Sequence, residues 1–462
     1  MPVSKDFLPI AGASGQGDTT YAINQSIRYD DVTNNYLSKT PSAASDGGKT
    51  YTYSFWIKRN TLASGEYIIH AGSSYPGLNP ADYIYFDTSD QMRSWHGTNT
   101  LVSNRTFRDV SAWYHFVYIY DSTQAISSER VRFYVNGVRE TSFSTAAYPS
   151  LNATSYFNTN TTHYIGGANS QANRLTSYMA EIHFLDGYAY GPEYFGEFKE
   201  NTDIWIPIEY TGSYGTNGFK IDGSDASNLG NDQSSNGNNY AYTNFSDDDQ
   251  SLDSPTNNFC VPNPLDNYYF GGTFVDGNLK ITSTTTSYTY HTTTMKMPET
   301  GKWYAEVECD VVGNGVGFGI VEEPSTATNK YIANLSTAFA YYSNGQSYHE
   351  GGSSFGDSFT SGDIVGIAVD MDNKKIYYSK NGVFQASGNP AGNSNGLSID
   401  SGVTYFFAAN DDTSTSTLST WIWNFGQGGT NTGGNKDSRG IGNFKYSVPS
   451  GFLALCTKNL GS

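Results

Sequence analysis

The run Gly362-Asp363-Ile364-Val365-Gly366-Ile367-Ala368-Val369-Asp370-Met371-Asp372 leads almost directly into Lys375-Ile376-Tyr377-Tyr378-Ser379-Lys380-Asn381-Gly382-Val383-Phe384. Its apolar middle is too short for a helix that buries one stripe and suits a strand buried on both faces. A polar turn and a second, aromatic strand follow. The pair Asn-Gly then supplies two residues that accept positive φ, as a type I′ hairpin turn requires. Arg130-Val131-Arg132-Phe133-Tyr134-Val135 alternates polar and apolar and closes on the same signal at Asn136-Gly137. A chain that repeats this device far apart is expected to be built of antiparallel β-sheet.

Composition extends that expectation to the whole chain. Charged residues are 15% of 462, aromatics another 15%, and there are 37 Tyr and 49 Gly. Helix formers are scarce, while Tyr, Thr, Val and Ile strands and Gly, Asn, Asp and Ser turns are plentiful. Disorder is excluded because the aromatic residues supply ample surface to bury. The length exceeds one ordinary sandwich and suits two or three domains.

The net charge of −18 argues against a nucleic-acid backbone or an anionic membrane as partner, since both need clustered Lys and Arg. Asp247-Asp248-Asp249 reads as a solvated linker. Cys260, Cys309 and Cys456 are too few for a disulfide framework. Cys309 falls on the apolar face of a strand. Cys260 and Cys456 bracket the C-terminal region, so a disulfide between them stands beside the alternative of buried thiols. No signal-peptide pattern opens at Met1, and no stretch approaches the length of a membrane span.

Along the chain, residues 1–25 read as an arm. A first sandwich is expected over 26–208, with strands at Thr50–Arg59, Trp113–Tyr120, Arg130–Val135 and Met179–Asp186. Residues 209–262 are rich in Gly, Asn, Ser and Asp, yet carry an apolar or aromatic anchor every few positions. They read as an ordered connector rather than a flexible linker. A second sandwich is expected over 263–462.

Tyr36–Thr40, Ser54–Arg59, Tyr134–Gly137 and Ala180–Gly187 resemble the laminin-G-like, concanavalin-A-like fold found in phage structural proteins. The second half is similar to the SPRY family, whose core runs Gly-Asp-x-Ile-Gly, Asp-x-Asp, then an aromatic strand ending in Asn-Gly. Gly301-Lys302-Trp303-Tyr304-Ala305-Glu306-Val307, Gly315–Ile320, Tyr341–Gly345 with Tyr348 and Gly351, Trp423–Gln427 and Pro449–Leu455 match its further segments in order. The combination resembles tailed-phage virion proteins, notably marine ones, that join these modules through a similar connector. The resemblance implies an all-β chain of two antiparallel β-sandwiches and a binding role.

Enzymatic candidates are few. Glu306, Glu308 and Asp310 alternate along one strand and point to one face, as the carboxylate pair of some glucanases does. Trp303, Ala305, Val307, Cys309 and Val311 occupy the other face as core, which leaves the carboxylates on a wet surface without catalytic order. Gly313–Gly319 lacks the helix that a phosphate loop needs. The histidines His70, His96, His115, His163, His183, His291 and His349 show no metal spacing. No catalytic residue, metal or cofactor is expected.

Recognition remains. The candidate ligand-binding positions are Tyr75, Trp95, His96, Tyr348 and His349, taken as loop residues whose rings stack on sugars or fill a partner's pocket. The structural alternative for each is a ring that closes a sandwich edge. The expected setting is the surface of a phage particle, with a homo-oligomeric fibre or adhesin binding host glycan or receptor. The expected partners are that ligand and other virion subunits, with no nucleic acid and no membrane insertion. Capsid decoration is the alternative, and glycan depolymerisation a third reading that depends on the carboxylate strand.

Overall fold

A computed structural model describes residues 21–30, 34–42, 48–72, 81–168, 173–266, 272–284, 288–313, 315–323, 332–411 and 417–461. The chain divides into two compact units, one ending at Asn258 and the other beginning at Phe259.

The first unit is a sandwich of two antiparallel sheets. One sheet runs in the order Val138–Arg139, Val131–Val135, Trp113–Asp121, Thr50–Arg59, Ser177–Asp186, Ser26–Arg28 and Gln250–Ser251, and Phe219–Ile221 also pairs with Ser177–Asp186. The other runs Phe143–Ala146, Asn99–Thr106, Gln91–His96, Ala81–Phe86, Glu66–Gly72, His163–Ile165, Tyr36–Lys39 and Ala241–Thr243. Tyr53, Phe55 and Ile57 of the central strand meet Ile69, Ile84 and Phe86 across the core. Alternation along each strand sends every second side chain to an outer face.

Residues 209–258 belong to this unit. Phe219–Ile221, Ala241–Thr243 and Gln250–Ser251 extend its sheets. Asp253 and Asn258 lie 2.8 and 2.7 Å from the Lys58 ammonium, whose side chain is fully buried. The acidic run at 247–249 is a 3₁₀ turn, and Asp249 is buried beside Arg28 at 3.4 Å. The solvated-linker reading therefore fails for Asp249, because the turn folds its carboxylate back onto a buried cation.

The second unit is also a two-sheet antiparallel sandwich. One sheet runs Thr273–Val275, Lys280–Thr282, Thr420–Asn424, Lys302–Val311, Ile364–Asp370, Lys375–Lys380 and Val383–Phe384. The other runs Thr289–Lys296, Phe406–Asp411, Val316–Val321, Ala338–Tyr342, Gln346–Tyr348 and Gly352–Ser354. A Cβ on Gly319 would stand 1.9 Å from the Phe339 carbonyl, so the glycine-rich run is a strand whose neighbour approaches closely.

Both Asn-Gly pairs close two-residue hairpins with positive φ at both positions: 48° and 78° at Asn136-Gly137, 50° and 80° at Asn381-Gly382. All three cysteines are buried thiols. Cys456 lies opposite Phe259 in an antiparallel bridge, and Cys260 donates its N–H to Leu455 at 3.0 Å. Residues directly opposite share a face, so Cys456 points with Phe259 while Cys260 points with Leu455 into the core. The register sets the two sulfurs on opposite sides.

The carboxylate strand departs from its expected wet face. Ala305, Val307 and Cys309 do fill the core, but Val311 is exposed and Tyr304 and Glu306 are buried. Residues 443–446 lie over them: Phe444 packs edge-on against Tyr304 at 5.2 Å, and the backbone N–H groups of Lys445 and Tyr446 donate to Glu306 at 2.7 and 2.9 Å.

Candidate functional site

The outer face of the second sheet of the first unit carries rings where water-facing polar residues are usual. Register defines this face. Met92, Ser94 and His96 point inward, so Arg93 and Trp95 point outward, opposite Tyr85 and Tyr83 of the neighbouring strand. Those tyrosines pair in turn with Tyr67 and His70, His70 with Tyr164, and Tyr36 follows on the next strand. Between these positions Ile69, Ile84, Ile165 and Leu37 face the core.

The rings touch in sequence. Trp95 stacks parallel to Tyr83 (5.8 Å, 5°), Tyr67 lies edge-on to Tyr83 at 5.3 Å and stacks on Tyr85 at 5.1 Å. His70 is 5.7 Å from Tyr164, and Tyr164 is 5.9 Å from Tyr36. Trp95, Tyr85, Tyr164 and Tyr36 are half-buried, while Tyr67, Tyr83 and His70 are buried. Arg93 sits over Tyr85 at 5.5 Å and pairs with Asp87, and Arg174 sits over Tyr36 at 4.3 Å. Burial raises the Tyr83, Tyr85 and Tyr164 phenols above their ordinary range, so they act as neutral donors and acceptors.

Of the positions expected from sequence, Trp95 belongs to this face. His96, its neighbour, does not: it is a strand residue turned into the sandwich, where it meets Asp82 at 3.0 Å and the Tyr118 hydroxyl. Neither is a loop residue, because the strand continues to His96 before turning. Tyr75 lies outside the described residues. Tyr348 and His349 are in the second unit. Tyr348 closes a strand, packs on Tyr342 at 4.5 Å and donates to Gln346 at 2.6 Å. His349 is exposed and stacks on Phe339 at 4.0 Å, with Nδ1 3.1 Å from the Ala338 carbonyl. The sequence reading missed Tyr36, Tyr67, Tyr83, Tyr85 and Tyr164. The signal was present in Tyr83-Ile84-Tyr85 and Arg93-Ser94-Trp95, where alternation puts the large rings opposite the core residues.

Two polar clusters invite a catalytic reading. Ser54 Oγ lies 2.8 Å from His115 Nε2, but Trp205 Nε1 reaches His115 Nδ1 at 3.0 Å. An indole N–H only donates, so Nδ1 accepts and Nε2 carries the proton, which it gives to Ser54. Burial, and then neighbouring His183, push His115 down to about 3. This imidazole holds a serine in place rather than deprotonating it. Glu306, on the carboxylate strand of the second unit, spends its oxygens on Lys445, Tyr446 and the Tyr304 hydroxyl, the last at 3.0 Å.

Comparison with known proteins follows the same division. Residues 31–189 match the laminin G type described as the concanavalin A-like lectin/glucanases superfamily, and residues 302–391 match the SPRY domain. No curated protein matches the chain. Among solved structures, the SPRY domain of human HERC1 is 16% identical, with 35% of this chain and 96% of that one covered and a TM-score of 0.28. A protein of Bacteroides ovatus described as carbohydrate-binding is 15% identical, with coverage of 48% and 58% and a TM-score of 0.32. A heptameric SAP-like pentraxin from Limulus polyphemus is 14% identical, with coverage of 37% and 80% and a TM-score of 0.28. The chain thus carries a concanavalin A-like lectin/glucanase domain and a SPRY domain.

Proposed function

We propose that this protein binds glycan through the outer aromatic face of its first sandwich, as a multi-copy surface protein of a phage particle that attaches to host cells. The observation that carries the reading is the run of rings from Trp95 through Tyr83, Tyr67, His70 and Tyr164 to Tyr36. The half-buried rings of this row, Trp95, Tyr85, Tyr164 and Tyr36, cost hydration unless something covers them, and buried Tyr67, Tyr83 and His70 pack among them. The C–H face of a pyranose fits such rings, and phenol hydroxyls and the arginines supply the hydrogen bonds that orient it. Weak single sites become firm attachment when many copies engage one surface. The virion setting is supported by the module pair and its connector, which resemble tailed-phage proteins.

Binding fits better than catalysis because the Ser54–His115 pair and Glu306 are committed to internal hydrogen bonds. A structural role against other virion subunits has its own support on the opposite sheet. There Tyr190 packs against the cluster of Val117, Ile119 and Leu185, and exposed Tyr194 stacks on Tyr190 at 4.2 Å and 9°.

The test is a glycan array probed with the purified full chain, multimerised for avidity, alongside Trp95→Ala. Binding that falls at least tenfold in the variant supports the reading. Absence of binding to any glycan, or equal binding by the variant, overturns it.

A further inference from the structure

Buried cations in the first unit come with carboxylates, as the cost of desolvating a charge demands. Arg28 faces Asp249 at 3.4 Å, Lys58 faces Asp253 at 2.8 Å, and Arg59 faces Asp90 and Glu66 at 2.9 and 3.3 Å. Arg174 breaks the pattern. It is only 5% exposed, and among the described residues no carboxylate pairs with it. Its Nη1 donates to the Ala168 carbonyl at 3.2 Å, and its buried Nε has no partner among those residues.

The guanidinium is nevertheless seated with care. Its plane lies over the Tyr36 ring at 4.3 Å. Gly167 also borders it, where a Cβ would stand 2.0 Å from Nη1, so any larger residue would displace it. Burial lowers its proton affinity from the ordinary arginine value, the Tyr36 and Tyr164 phenols oppose that, and among the described residues no carboxylate joins them. Arginine suits such a site because its planar fork binds carboxylate or sulfate through two parallel hydrogen bonds.

We infer that the aromatic face selects an anionic saccharide, with the carboxylate or sulfate of one sugar on Arg174 and adjoining sugars against Tyr36 and Tyr164. This rests on the glycan reading above and adds to it the charge of the ligand. Arg93, at the far end of the row, is neutralised by Asp87 and so does not compete for the anion. The net charge of −18 does not forbid the pairing, because at physiological salt charges beyond roughly 8 Å are largely screened.

The experiment measures affinity of the full chain for paired probes: oligogalacturonate against its methyl ester, sialyllactose against lactose, and a heparin tetrasaccharide against its desulfated form. At least tenfold preference for one charged member is expected, and which pair shows it separates carboxylate from sulfate. Arg174→Gln should erase that preference, bringing the charged member down to the affinity of its neutral partner. Should Arg174→Gln not fold, Arg174→Lys, which keeps the charge but loses the fork, should weaken the charged probe at least threefold. Equal binding of charged and neutral members, or a preference that survives substitution, overturns the anion assignment. If that result comes with binding that Trp95→Ala abolishes, the glycan reading stands. No saccharide binding at all overturns both.

Discussion

Asn381 Oδ1 accepts the backbone N–H of Ile364 at 2.9 Å, and the Asn381 N–H returns a bond to the Ile364 carbonyl at 2.8 Å. Asn136 makes the same exchange with His115, at 2.7 and 2.9 Å. The hairpin asparagine thus does more than accept positive φ: it ends its strand and pairs sideways with the adjacent one. Each turn is thereby tied to the neighbouring strand of its own sheet.

Asn381→Ala should therefore destabilise the second unit by about 1–2 kcal/mol, from a lost hydrogen bond and an unfavourable φ. Asn136→Ala should do the same to the first. Gly382→Ala adds a clash, since its Cβ would stand 2.7 Å from the Tyr446 ring. Denaturant unfolding followed by hydrogen exchange on each unit checks the assignment, and effects appearing in the wrong unit would contradict it.

Lys58 and Asp253 form a fully buried ion pair that Trp113 Nε1 supports at 3.0 Å from the other carboxylate oxygen. Removing one partner leaves a buried charge uncompensated. Asp253→Ala is expected to cost about 3–5 kcal/mol, whereas Lys58→Met with Asp253→Leu should recover most of it. Thermal unfolding of the single and double variants measures this; a double variant no better than the single would show that packing, not charge, dominates.

How much of this was legible in the sequence depends on how local the cause is. The Asn-Gly turns and the strands they join depend on neighbouring residues, and they stand where the sequence places them. The inward turn of His96 depends on register across Asp82, and the burial of Glu306 on Lys445 and Tyr446, far along the chain. Arg174 was the least legible. Its character lies in the lack, among the described residues, of a paired carboxylate, which no local pattern records.

The buried Glu306 carboxyl is pushed by burial up to about 7, against the pull of the Tyr446 and Lys445 N–H groups. A carboxyl whose folded value lies above its unfolded value, about 4.3, binds more protons when folded. Stability from this group is therefore full below pH 4.3 and lost as pH rises to 7, up to about 4 kcal/mol. Glu306→Gln should flatten the stability of the second unit across that window. Urea titrations from pH 4.5 to 7.5 test it, and parallel profiles for the variant and the parent would refute it.

Cys260 and Cys456 should titrate as thiols. The register turns their sulfurs to opposite sides of a bridge, so forming a disulfide would require the pairing of Phe259 with Cys456 to slip by one residue. Protein denatured without reductant and reacted with a thiol reagent should show three thiols per chain. A count of one would mean that the register at Phe259 is wrong.

Trp95 and His96 give the sharpest contrast, because adjacent residues of one strand serve opposite faces. Trp95 stacks on Tyr83 at the outer surface, half-buried, and its loss removes a platform without opening the core. Trp95→Ala should weaken glycan binding at least tenfold, about 1.4 kcal/mol, while shifting stability little. His96 is held between Asp82 and Tyr118 inside the sandwich, and both would be left without that partner. His96→Ala should cost about 2 kcal/mol of stability and leave ligand affinity unchanged in the folded fraction. Calorimetric binding and thermal unfolding on both variants separate the two effects. If His96→Ala abolishes binding in protein that remains folded, the ligand enters from the core side of the strand, and the outer face is not the site.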